Sequence, residues 1–269
     1  MIINQITPMQ IYANKNDLES FFEKEFVPIV SETTWMKEWR HIAQRFRLFT
    51  FKEFSKEEVL SFEWECDRVK NIIEDTIFKV KKHIPLEELN ITVLPALPFP
   101  WFNGLDQSKW TNGFTNGPNS IQIAVPPNPD EAFLRYMIAH EAHHASPINP
   151  IYKLSSDSFP LAEWFKMEGT AEYFSLSLFE DKRWWKKDFT DEVKSRYVKH
   201  LKGNFDTTDD KIKSPICFGN PDIGIPYLSG YSFAYEVVCN YVKQHPIKEL
   251  KELFSIQPSE LKKSYQSSL

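Results

Sequence analysis

Three of the chain's seven histidines fall within five positions, in the stretch "IAHEAHHAS" at residues 138–146, with a glutamate beside the first of them. On a helix, His140 and His144 stand one turn apart on the stripe begun by Phe133 and Met137, so both rings point inward. Two imidazole nitrogens at that spacing can converge on one divalent ion about 2.0–2.1 Å away. Glu141, one position round the helix, can reach a water bound to that ion, which makes His-Glu-x-x-His a geometric prescription for activating water. His143 lies off the stripe and is expected to face solvent or the rim of a cleft.

A zinc site needs a third protein ligand, and "MEGTAEYF" at residues 167–174 offers one. At helical spacing Glu168 and Glu172 share a face with Leu161 and Phe165, and two carboxylates on an apolar face need partners. A cation would serve Glu168, and the free ring N–H of a ligating histidine would serve Glu172. The bland alternative makes both glutamates lip residues of a solvated groove. Two imidazoles and one carboxylate with an open position suit zinc, so one Zn2+ is the expected cofactor.

The elements that must position these residues show in the periodicity. Residues 16–27, 33–47 and the long segment from Ser55 to Pro85 lack internal Pro and Gly and carry apolar residues at three-to-four spacing, giving a helical region over 1–90. Ser55 can cap the long segment and Pro85 can stop it. The texture then changes: "ITVLPA" and "SIQIAV" read as strands, and the Asn-Gly pairs at 112–113 and 116–117 read as turns. Helices are expected from Asp130 to before Pro147, from about 160 to 180 and from about 231 to 244, with 203–226 a long surface loop. The expected class is α+β, mainly helical, with a small mixed sheet above metal-bearing helices. Residues 91–269 form the catalytic region, packed with 1–90 into one unit.

"HEAHH" followed by "EGTAEYF" resembles the gluzincin pattern, in which HExxH precedes a helix bearing the third ligand. "MEGTAEYF" is similar to a segment of zinc aminopeptidases, with Met167 where those have Asn, and no exopeptidase GxMEN-like signature is present. The Gly-rich strand region upstream and Tyr-x-x-Gly-Tyr downstream are similar to a bacterial family of predicted Zn-dependent proteases, over roughly residues 90–245. That resemblance implies a zincin-like metallopeptidase fold and hydrolysis of peptide bonds, with a peptide or protein as substrate. It implies His140, His144 and Glu168 as zinc ligands, Glu141 as general base and Glu172 behind a ligand. It further implies an oxyanion donor, Tyr227 or Tyr231, and an edge strand that pairs with substrate near Phe114, Thr115 and Asn116, a segment that otherwise reads as a plain hairpin. Other readings of the same residues are a catalytically silent regulatory or binding protein that keeps the fold, and a zinc hydrolase of non-peptide amides.

Composition narrows the partners. A net charge of −5 gives no general attraction for nucleic acid or for an anionic membrane. "DKRWWKKDF" at 181–189 mixes basic and aromatic residues, but reads as a solvated, partly packed helix end. The three cysteines are odd in number and widely spaced, which predicts buried thiols rather than disulfides or a zinc cluster. The N-terminal stretch lacks a leader pattern and no apolar run approaches a membrane span, so the expectation is a cytoplasmic protein. No feature sets an oligomeric state.

Overall fold

The computed structural model describes residues 1–31, 34–154 and 159–266, which divide into two compact units, Met1–Pro147 and Ile148–Leu269.

In chain order the first unit contains β1 (Ile2–Gln5), α1 (Pro8–Ala13), α2 (Leu18–Phe26), α3 (Trp39–Arg45), α4 (Lys56–Leu60), α5 (Cys66–Val80), β2 (Asn90–Pro95), β3 (Asn112–Gly117), β4 (Ser120–Val125) and α6 (Glu131–Ala145). The sheet order is β1-β2-β4-β3, with β1, β2 and β4 parallel and β3 antiparallel at one edge. Every residue of β4, and all of β2 after Asn90, is buried, as short apolar strands covered on both faces should be. An aromatic-rich core of Phe22, Phe26, Phe46 and Phe51 packs with Leu94 and Ala124 of the sheet. Helix α6 packs on α5, β3 and β4.

Three local expectations are corrected here. The segment from Ser55 to Pro85 is two helices rather than one. Ser55 does cap α4, in a reciprocal box with Glu58. Residues 61–65 then leave the helix to make tertiary bonds: Glu63 accepts from the Met9 N–H and the Trp64 indole donates to Gln5. The helix expected over 33–47 starts only at Trp39 among the described residues. Both Asn-Gly pairs expected as turns, 112–113 and 116–117, are strand residues, and the turn after Gly117 is made by Pro118 and Asn119.

The second unit holds α7 (Leu161–Leu178), α8 (Asp191–Leu201), α9 (Asp210–Phe218), α10 (Ser229–Gln244) and α11 (Pro258–Gln266). Helices α7 and α10 lie against each other so closely that a Cβ on Gly169 would collide with the carbonyl of Ala234. Phe165, Phe174, Tyr197 and Phe233 fill the core beside them. The expected loop over 203–226 contains α9, which Asp209 caps; Pro215 inside the helix breaks the periodicity that would have revealed it. Of the three cysteines only Cys217 is buried, and burial pushes its thiol well above the ordinary range; Cys66 and Cys239 are half-buried. No helix among the described residues is long and apolar enough to cross a membrane.

Candidate metal centre

Helix α6 is started by Asp130, whose carboxylate accepts from the Phe133 N–H at 3.1 Å, and ends just before Pro147. Every residue from 138 to 146 is buried. That includes His143, only 1% exposed, so its expected place facing solvent or a cleft rim is corrected. The Nε2 atoms of His140 and His144 face each other 3.0 Å apart. Two donors bound to one tetrahedral ion at about 2.0–2.1 Å would stand roughly 3.3 Å apart, close to the spacing the helix already imposes. Glu168, on α7, supplies the third donor. His140, His144 and Glu168 are all buried, and one ligand atom from each lies within 4.8 Å of the others. The set of two borderline imidazoles and one carboxylate fits a zinc ion, and it is the one such group among the described residues.

Glu141 stands outside that trio and is gripped by strand β3. The Thr115 hydroxyl lies 2.8 Å from Glu141 Oε2 and 2.9 Å from the Glu141 carbonyl, so its single proton is shared between two acceptors on one residue. A Cβ at Gly113 would come within 2.5 Å of Glu141 Cγ, which is why a glycine occupies the strand there. Phe114, alternating to the other face, packs against the aromatic core with the Arg45 guanidinium 4.1 Å over its ring. Asn116 is fully buried: its side chain accepts from the Met36 N–H at 2.7 Å and donates to the Met36 carbonyl at 3.1 Å. The side chains of Phe114, Thr115 and Asn116 are thus engaged within the protein.

Glu172, fully buried, accepts from Arg183 Nη1 at 2.7 Å. Arg183 is itself 4% exposed, pairs through its other nitrogens with Asp181 and lies over the Tyr235 ring. Burial works against the charge of Asp181, but the hydrogen bonds and charge of Arg183 outweigh it and hold that carboxyl below its ordinary range. Arg183 falls in the stretch 181–189, which reads in sequence as a solvated, partly packed helix end, yet it is buried. The signal was present in the two carboxylates on an apolar face, which require a nearby cation. Tyr227 lines a cavity of about 230 Å³ with Ser214, Gly219, Asn220 and Asp222. Leu228, next to it, takes a left-handed conformation (φ 62°) at the start of α10. Tyr231 packs edge-on against Trp164, with ring centroids 5.2 Å apart, and lies near Trp185.

Fold and site together define a mainly helical α+β protein with a buried two-histidine, one-carboxylate site suited to a divalent ion. A family model described as "Predicted Zn-dependent protease (DUF2268)" matches residues 69–263, and the chain belongs to that family. No curated protein and no solved structure matches it. The family description implies zinc, in agreement with the donor chemistry.

Proposed function

We propose that this protein is a zinc-dependent metallopeptidase of the gluzincin type, with a zincin-like fold, hydrolysing peptide bonds with Glu141 as general base. The observation that carries the reading is the division of labour on α6: His140 and His144 converge with Glu168, while Glu141 is held separately by Thr115. A site kept for structure alone is usually closed by a fourth protein ligand rather than left with a base beside an open position. His140, His144 and Glu168 would hold the ion. When bound, zinc polarises the scissile carbonyl and acidifies water.

Glu141 takes the proton of the attacking water and delivers it to the departing amine nitrogen, one carboxylate serving as base and then as acid. Thr115 keeps the Oε2 atom of Glu141 in place while it does so. Glu172, paired with Arg183 and one turn along α7 from Glu168, is assigned the supporting role behind that ligand. Tyr227, just ahead of α10, is the preferred donor to the oxyanion; the tryptophan packing of Tyr231 makes it the second choice. The outer side of β3, the edge strand of the sheet, is where an extended peptide would pair.

The test is Glu141→Gln, assayed on a peptide library beside a zinc determination. Hydrolysis is expected to fall by roughly 10²–10⁴-fold while zinc is retained. Undiminished hydrolysis in that variant would remove Glu141 from the mechanism.

A further inference from the structure

Peptide pairing along β3 requires free backbone groups on its outer side, and at one end one of them, the Asn116 carbonyl, is taken. The Trp35 N–H donates to the Asn116 carbonyl at 2.8 Å, while the Asn116 side chain holds Met36 through both its N–H and its carbonyl. Asn116 falls where the β3–β4 register shifts, so its backbone is out of step with the ladder and open to a third segment. That segment is braced: the Thr34 hydroxyl, 6% exposed, donates to the Ser31 and Met36 carbonyls and accepts from the Ser31 N–H. The Trp35 indole, 40% exposed, stands out from it.

Gly113 and Thr115 bracket the level of the Glu141 carboxylate on the strand, because a Cβ at Gly113 would touch Glu141 and the Thr115 hydroxyl bonds to it. From that level to Asn116 is at most three strand steps, roughly 10 Å. We infer that the segment at 34–36 closes one end of the peptide-binding edge, so that this enzyme acts on short peptides or chain ends and cleaves within about three residues of one terminus. The inference rests on the peptidase reading and adds the substrate class to it. A longer extension on the closed side would have to displace Trp35 from Asn116, breaking a bond in a buried polar clamp.

The experiment has two arms. In the first, zinc-loaded wild-type protein is given long synthetic peptides and the cut sites are mapped by mass spectrometry. Cuts confined to about three residues from the same terminus in every peptide are expected, and Asn116→Ala, which releases Met36, should raise internal cutting at least about tenfold. Free cutting in the middle of long peptides by the wild type overturns the closed end and leaves the peptidase reading intact. In the second arm, zinc-loaded Glu141→Gln binds a ladder of alanine-based peptides lengthened one residue at a time from either end. Affinity should stop rising after about three residues in one direction and continue in the other. Affinity that rises equally in both directions, or no peptide binding, overturns the inference. A wild type that cuts nothing refutes the peptidase reading, and the binding ladder still decides whether the edge is closed.

Discussion

At the scale of single residues, the decisive contact is the Thr115 hydroxyl on Glu141. In the proposed mechanism Thr115 acts through the Glu141 carboxylate rather than on substrate. Thr115→Val should therefore lower kcat roughly tenfold to a hundredfold with little change in KM, and Thr115→Ser should restore it. A rise in KM at constant kcat would mean that Thr115 touches substrate instead. Gly113→Ala should be worse than its small volume suggests, because the new methyl group would meet Glu141 Cγ; a thermal melt together with kcat reads the displacement. The three donors were legible in the sequence because His140 and His144 sit one helical turn apart and Glu168 lies on an apolar face. The grip of Thr115 was not, because it joins a strand to a helix across 26 positions, a pairing that no local period encodes.

Among elements, α7 carries two structural commitments. Its close approach to α10 at Gly169 makes Gly169→Val an overpacking change, with about 1–3 kcal/mol of destabilisation expected in chemical denaturation. The buried pair of Glu172 and Arg183 is more sensitive. Arg183→Met leaves a carboxylate without its cation and should cost about 3–5 kcal/mol, whereas a loss below about 1 kcal/mol would show the pair to be incidental. The same cluster gives a pH dependence. Asp181 binds its proton less readily folded than unfolded, so its contribution is present above the ordinary carboxylate value of about 4 and is lost as pH falls through its lowered folded value. Asp181→Asn should flatten that acid limb in pH-dependent unfolding. Helices α2, α6, α7 and α10 were readable from capping and periodicity. Strand β1, the break at 61–65 and helix α9 were not: the first two are set by partners far along the chain, and Pro215 disguises the third.

For the whole molecule, a zinc ion held at His140, His144 and Glu168 would link folding to metal binding. An ion held by the native state and not by the unfolded chain stabilises by about 2.7 kcal/mol at a free concentration one hundred times its dissociation constant. Zinc returned to stripped protein should therefore raise Tm, and the rise should vanish in Glu168→Ala. Charge said which partners to set aside, and the motifs said where to look. Neither could say which backbone groups of the sheet edge were already taken, since that depends on Asn116 meeting a turn 80 positions away. The most direct measurement is the metal content of untagged protein by mass spectrometry, beside His144→Ala and Glu168→Ala. Close to one zinc per chain is expected in the wild type, with its loss in both variants; a metal-free wild type that takes up no added zinc would contradict the metal site.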